Sequence, residues 1–228
     1  MEAVILDVGG VLLIPSAEVI AQALAPFGVQ VSAELAERAH YVGVAALDAA
    51  VDNVDRERHA YRDAYAEVVG VPAASREAAL RLMGALWGGP NIDLWSQPVS
   101  GSVEGLTRLS ARPIKLAIVS NSDGTVEEQL KRRQICQVGE GLGVPVLAII
   151  DSHVVQVSKP AAAIFRHALE PIGVAPERAL YVGDTVRYDV AGARAAGLQP
   201  VHMDPFDLCP ARADHAHIRT LAEVETIL

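Results

Sequence analysis

This chain predicts an α/β fold, a parallel sheet with a helical subdomain inserted into it, and three observations carry that reading. The first is Ala3 to Val8, a short run of branched apolar residues that climbs to one acid, Asp7, and breaks on Gly9-Gly10. Such a run reads as a strand buried on both faces. The second is the rhythm after Gln97-Pro98, where strand-like and helical stretches alternate as in parallel βαβ units with right-handed crossovers. The third is what separates them: roughly 80 residues of helical periodicity, where a crossover needs a dozen or so. An insertion is the economical explanation.

Taken in order, Pro15-Ser16 ends the first turn and starts a helix, with Ser16 as N-cap and Glu18 in the first turn. Apolar residues then recur at three- and four-residue steps, as in Val19, Ala23, Leu24 and Phe27, or Leu80, Met83, Leu86 and Trp87. Breaks are expected at Phe27-Gly28-Val29, Gly70-Val71-Pro72 and Gly88-Gly89-Pro90, and no strand is expected before about Trp95. The hinges fall near Ile14-Pro15 and Gln97-Pro98, so the core is expected to hold residues 1–14 and 99–228 and the inserted helical cap 15–98. Later strand candidates are Lys115–Val119, Val146–Ile150, Ala179–Val182 and Leu198–His202. Helices are expected near Val103–Leu109, Val126–Arg133, Ala161–Leu169 and Val190–Ala196, with a closing helix at Arg219–Ile227.

Composition narrows the function classes. At 228 residues, 51% hydrophobic and 21% charged, the chain suits a folded protein with a sizeable core. A formal net charge of −9 offers no basic footprint for nucleic acid or an anionic membrane. Cys136 and Cys209 show no CxxC spacing and make no disulfide framework, which points to a reducing compartment. Glu2 near the start, and no basic segment before an apolar one, argue against a signal peptide, and no apolar run is long enough to span a bilayer. A cytoplasmic protein acting on a small molecule is the expectation.

Four polar signals stand just past strand candidates: Asp7, Ser120-Asn121, Ser158-Lys159-Pro160 and Gly183-Asp184. In a parallel sheet ligands bind beyond the carboxyl ends of the strands, so Asp7, Ser120, Lys159 and Asp184 are expected to converge. The segments DVGGV, IVSNS, VSKP and VGDTVRYD resemble the four motifs of the haloacid dehalogenase-like hydrolase superfamily, in the subgroup whose helical cap lies between motifs one and two. The most specific stretch is Gly183–Gly197, GDTVRYDVAGARAAG.

That resemblance implies a Rossmann-like core and a set of roles. Asp7 would be the nucleophile, forming an aspartyl-phosphate. Asp7, the Gly9 main-chain carbonyl and Asp184 would hold Mg²⁺, which prefers oxygen ligands. Asp189 would orient Lys159 or metal-bound water, and Lys159 would neutralise Asp7 and a phosphoryl oxygen. Ser120 and the Asn121 main-chain N–H would bind phosphate, while Pro160 suits the first helical position of the stretch that follows. The superfamily's phosphatases carry a general acid–base Asp two residues after the nucleophile, and here that place is Gly9.

Three readings follow from Gly9: a Mg²⁺-dependent phosphatase on a small phosphorylated metabolite with a good leaving group, a metal-independent 2-haloacid dehalogenase, or a protein that binds a phosphorylated ligand without turnover. Retention of Asp184 and Asp189 favours the first. Other candidates are set aside: Gly139–Gly143 precedes a strand instead of following one. His202, Cys209, His215 and His217 fit no usual zinc spacing and are expected on a solvated loop. In the insertion His40, Tyr41, Asp48, Arg56 and Trp87 are expected in core or solvent-face roles.

Overall fold

A computed structural model describes residues 1–50, 54–88 and 93–228 of the chain. They divide into two units, Met1–Leu12 with Pro98–Leu228, and Leu13–Gln97. No helix among the described residues is long and apolar enough to cross a membrane.

The chain opens with β1 (Ala3–Leu6), buried along its whole length. Next come β2 (Leu13–Pro15), α1 (Ala17–Leu24), α2 (Ala33–Ala49), α3 (Val54–Val68), α4 (Arg76–Gly88) and β3 (Trp95–Pro98). β2 and β3 pair as a two-stranded sheet, so strand structure brackets the helices. The sequence missed β2 because three residues are too few to display a period. Ser16 caps α1 by accepting the Val19 N–H, and Ser32 caps α2 by accepting the Leu35 N–H.

The helices of this unit close over Ile20, Leu24, Tyr61, Tyr65 and Met83. Here His40 and Tyr41 are buried, with His40 Nδ1 2.9 Å from the Tyr61 hydroxyl. Trp87 packs edge-on to Tyr61 and Tyr65, Asp48 is half-buried and Arg56 exposed. The expected break at Gly89-Pro90 lies outside the described residues.

The other unit resumes with α5 (Ser102–Ser110), β4 (Lys115–Ser120), α6 (Val126–Arg132), β5 (Cys136–Val138), β6 (Val144–Val146) and β7 (Ala148–Asp151). It continues through α7 (Ser152–Val155), α8 (Ala163–Ile172), β8 (Ala179–Gly183), a π turn at Val186–Val190, α9 (Ala191–Ala195), β9 (Gln199–Met203) and β10 (Ala216–Ile218). Three expectations need correction. Val146–Ile150 is two strands, since β6 pairs with β5 while β7 pairs with β4, and a run of apolar residues does not reveal a change of partner. Pro160 sits in a turn ahead of α8, after a cis peptide bond with Lys159, and not at a first helical position. The closing helix is a 3₁₀ segment, Leu221–Thr226.

Six strands form one parallel sheet in the order β10-β9-β8-β1-β4-β7. Counted along the chain and read from the far edge, this is 3-2-1-4-5-6, the order of the doubly wound nucleotide-binding folds, with the switch point between β1 and β8. Ala3, Ile5, Ala117, Val119, Ala179 and Tyr181 form a cluster with Ile164, Phe165, Ala168, Leu169 and Ile172 of α8. The alternate residues Val4, Leu6, Leu116, Ile118, Leu180 and Val182 are also buried. Both faces are therefore covered, which is why these strands read as unbroken apolar runs. Phe165 is fully buried and meets Tyr181 edge-on, with ring centroids 4.8 Å apart. Phe165→Ala is expected to cost about 3–5 kcal/mol, seen as a lower urea midpoint for this unit by tryptophan-independent circular dichroism.

Candidate active site

Register assembles the site. Leu6 of β1 is paired with Ile118 of β4 and Val182 of β8. The residues that follow, Asp7, Ser120 and Gly183-Asp184, therefore leave the sheet at one level, beside the switch point. The Asp7 N–H donates to the Val182 carbonyl at 2.9 Å, which holds the nucleophile candidate against β8. Its Oδ1 accepts the Val8 N–H at 2.7 Å, and its Oδ2 lies 2.7 Å from Lys159 Nζ.

Lys159 is the hub. Its buried ammonium also donates to Asp189 Oδ1 at 2.7 Å and to the Tyr181 hydroxyl at 2.8 Å, so all three N–H bonds are used. Asn121 holds the Lys159 main chain at two points: its Oδ1 accepts the Lys159 N–H at 2.8 Å and its Nδ2 donates to the Lys159 carbonyl at 3.1 Å. The resemblance assigned Asn121 through its main-chain N–H, whereas the structure shows its side chain clamping Lys159. Ser120 is buried at the end of β4, paired with Asp151 of β7.

Asp189 is held on both oxygens. Oδ1 takes Lys159 and lies 3.0 Å from the Tyr181 hydroxyl; Oδ2 accepts the Thr185 N–H at 3.0 Å and the Thr185 hydroxyl at 2.6 Å. The Asp189 N–H in turn donates to Thr185 Oγ1 at 3.2 Å. This reciprocal pair is a capping box stretched by one residue, and the wider ring of the π turn accommodates the extra residue. Tyr181 and Thr185 were missed from sequence. Tyr181 lay hidden in the apolar run ALYV, whereas a Thr four residues before Asp189 was a legible capping signal.

Two glycines make room for the acids. Gly10 has φ +64°, and a Cβ on it would fall 1.9 Å from Asp184 Oδ2. A Cβ on Gly183 would fall 2.3 Å from the Asp189 side chain. Gly9 is half-buried in the same loop and offers only main-chain groups.

Asp7, Asp184 and Asp189 bring carboxylate oxygens within 4.8 Å of one another, and the Lys159 ammonium pairs with two of them, Asp7 and Asp189. The Asp7 pKa is pushed up to about 7, chiefly by burial and further by Asp189 and Asp184, with Lys159 offsetting only part of the rise. Burial acts the same way on Asp189, but Lys159 and the Thr185 hydrogen bonds outweigh it and hold its pKa below the ordinary value. Burial disfavours the Lys159 ammonium, yet Asp189 and Asp7 keep its pKa above the usual one. The site is rich in oxygen donors, which fits a hard divalent cation such as Mg²⁺. Both oxygens of Asp189 and of Asp7 already accept hydrogen bonds, so a cation at Asp7 and Asp184, the acids that follow β1 and β8, would share an oxygen of Asp7 with one of these donors.

The histidines require a correction. His202, Cys209, His215 and His217 were expected on a solvated loop, but their ligating atoms gather within 4.8 Å, with His202 and Cys209 buried. The reason is tertiary: β9 and β10 pair with His202 opposite His217, a register that no spacing along the chain displays. Burial, with His217 and His202 alongside, pushes the His215 pKa down to about 4.

The family pattern of the haloacid dehalogenase-like hydrolases matches residues 1–197. The chain belongs to that family. It is 33% identical to the phosphoserine phosphatase of Thermus thermophilus over 150 residues, 65% of this chain and 54% of that protein. It is 32% identical to the phosphoglycolate phosphatase of Thiobacillus denitrificans over 118 residues, 52% of this chain and 48% of that one. The chain spans about half the length of the curated relatives it matches. Its fold is shared with the crystal structure of a HAD phosphatase from Thermococcus onnurineus, at a TM-score of 0.59 and 22% identity, covering 100% of this chain and 97% of that one.

As in any haloacid dehalogenase-like core that gathers carboxylates around one buried ammonium, removing that charge should be costly. Lys159→Met leaves Asp7 and Asp189 buried without their counter-ion and is expected to destabilise the chain by about 3–5 kcal/mol at pH 8. The loss of Lys159 raises both folded carboxyl pKa values above their unfolded ones, so the variant regains stability as pH falls. Urea unfolding at pH 8 and pH 5.5 measures the difference, which should be larger at pH 8.

Proposed function

We propose that this chain is a Mg²⁺-dependent phosphatase that acts on a small phosphorylated metabolite through an aspartyl-phosphate at Asp7. The observation that carries the reading is the gathering of Asp7, Asp184 and Asp189 about Lys159 at the sheet's switch point. A metal-independent dehalogenase has no need of that surplus of carboxylate, since its nucleophile attacks carbon and the leaving halide carries its own charge. The helical unit, Leu13–Gln97, is on this reading the family's inserted cap.

Asp7 attacks phosphorus with a carboxylate oxygen and displaces the alcohol or other leaving group. Lys159, fixed by Asp189 and Tyr181, keeps positive charge beside Asp7 as the phosphoryl group transfers. Ser120, at the end of β4, supplies a hydroxyl for a phosphate oxygen. Mg²⁺, held by Asp7, Asp184 and the Gly9 carbonyl, would supply charge neutralisation for the acids and the phosphate. Proton transfer is where this chain departs from its family. Gly9 has no side chain to protonate the leaving group or to deprotonate the attacking water, a service worth on the order of 10²–10⁴ in rate. Substrates with good leaving groups, such as acyl or anomeric phosphates, suit the site best.

A panel of phosphoesters and 2-haloacids, assayed with and without EDTA, tests the reading. Phosphate release that EDTA stops, and that Asp7→Asn abolishes, is the expected result; halide release that ignores EDTA would overturn it. Gly9→Asp supplies a proton carrier and is expected to raise turnover on aryl and alkyl phosphates, by up to the roughly 10²–10⁴-fold that general acid–base catalysis is worth. An unchanged kcat in a folded variant would place the proton donor elsewhere. A third outcome concerns pH. Protonation of Asp7, whose pKa is pushed up to about 7, competes with the cation. The rise in melting temperature on adding Mg²⁺ should therefore be large at pH 8 and shrink as pH falls below about 7, as read by differential scanning fluorimetry.

A further inference from the structure

Near the carboxylates, at the C-terminal edge of the same unit, lies a second group of metal-ligating side chains that the proposed reaction does not use. We propose that His202, Cys209, His215 and His217 form a structural metal site that takes one Zn²⁺ in tetrahedral coordination by three imidazoles and a thiolate.

The proposal stands first on distances. All four ligating atoms lie within 4.8 Å of one another. His202 Nδ1 is 3.1 Å from His215 Nε2, and Cys209 Sγ is 3.9 Å from that same nitrogen. With Zn–N bonds of about 2.0–2.1 Å and a Zn–S bond of about 2.3 Å, a tetrahedron has edges of about 3.3–3.6 Å. The two measured edges straddle that range, so small side-chain rotations bring the atoms onto a common centre.

The second ground is an imbalance of hydrogen bonds. His202 Nε2 lies 2.8 Å from the Asp184 carbonyl, which can only accept, so that nitrogen carries the proton and a neutral ring presents a bare Nδ1 to the cluster. His215 Nδ1 and both ring nitrogens of His217 are buried without a hydrogen-bond partner. Their side chains are 0% and 10% exposed. Buried polar nitrogens left unpaired cost about 1–3 kcal/mol each, and natural folds rarely keep several together. A metal ion removes the conflict: Nδ1 of His202, Nε2 of His215 and Nε2 of His217 give lone pairs to it. His215 Nδ1–H and His217 Nδ1–H are then turned toward Asp214 Oδ2 at 3.7 Å and Asp204 Oδ2 at 3.4 Å. Ligating histidines backed by carboxylates or carbonyls are the usual outer arrangement of zinc sites. The same Asp204 accepts the Leu208 N–H at 2.7 Å and the Cys209 N–H at 3.1 Å, which folds the loop that presents the thiol. Binding exchanges the Cys209 thiol proton, released to solvent, for the Zn–S bond.

The third ground is what the site would do. β9 and β10 are parallel neighbours, yet residues 204–215 join them without a helix. An irregular crossover at a sheet edge buries little of its own, and four ligands drawn from both strands and the connection would pin it. Through its Nε2–H, His202 also holds the main chain of Asp184, so the ion would steady one member of the carboxylate cluster from behind.

Cobalt spectroscopy tests this without relying on activity. The full chain, stripped with EDTA and then kept in excess Mg²⁺, is titrated with Co²⁺. One equivalent is expected to give the strong visible bands of tetrahedral cobalt and a near-ultraviolet thiolate charge-transfer band, both erased by one equivalent of Zn²⁺. Asp7→Asn should leave that spectrum unchanged, which separates the site from the carboxylate cluster. Cys209→Ser should abolish the charge-transfer band, and its Zn²⁺ affinity should fall by more than the roughly 10–100-fold that losing an outer partner costs. A weak octahedral spectrum from the unmutated chain, or an unaltered charge-transfer band in Cys209→Ser, would overturn the proposal. Because the unmutated chain decides the coordination, a poorly folding variant does not shield the idea.

Discussion

The Lys159 ammonium, buried between Asp7 and Asp189, is the interaction on which the rest of the site depends. Taking charges out of water costs several kcal/mol per ion, and the mutual attraction offsets it only where the geometry is good and the remaining protons find acceptors. Here they do, with Tyr181 taking the third N–H. The neighbouring features follow from keeping that ammonium in place: Asn121 grips its main chain, Thr185 and the π turn aim Asp189 at it, and Gly10 and Gly183 leave space where a Cβ would strike a carboxylate. Burial raises the pKa of Asp7 even so, and Asp189 and Asp184 add to the rise.

Parallel pairing explains why these groups meet at all. Each strand of the sheet runs the same way, so every loop that follows a strand emerges at the same edge, and the reversal of winding between β1 and β8 opens a crevice there. Asp7 and Asp184 follow the two strands at that reversal. The family supplies this frame to many chemistries, and the fold alone does not choose among them. On the function we propose, the choice turns on Gly9, whose main-chain carbonyl would serve a cation while the position has no side chain to carry a proton.

The second cluster extends the same logic to the sheet's edge. β10 is the last strand, joined by an irregular connection, and its His217 stands opposite His202 of β9. His202 faces both ways, with Nδ1 toward the cluster and Nε2 toward the Asp184 carbonyl. A buried imidazole with two such neighbours joins the edge of the sheet to the carboxylate loop, and the stability of one is thereby tied to the order of the other.

By itself the sequence determined the parallel core and the long helical stretch between its first and second strands. Asp189 was named only through the family resemblance, while the sequence marked Asp7, Ser120, Lys159 and Asp184 as polar residues just past strands. Those were legible because a doubly buried strand is a continuous apolar run and the polar residue ending it stands out against that background. Asn121 was legible as a position but not as a side-chain clamp. Tertiary structure alone decided the rest. Tyr181 became a partner of Lys159 only when alternation along β8 turned it toward Asp189, and in the sequence it was one more apolar residue. Val146 and Ala148 fell into different strands because their partners differ, and partners are chosen across space. His202, Cys209, His215 and His217 looked unrelated along the chain, since their proximity is set by the register of two parallel strands and the fold of the loop between them. Local pattern records which face a residue buries; it carries no record of which distant residue waits there.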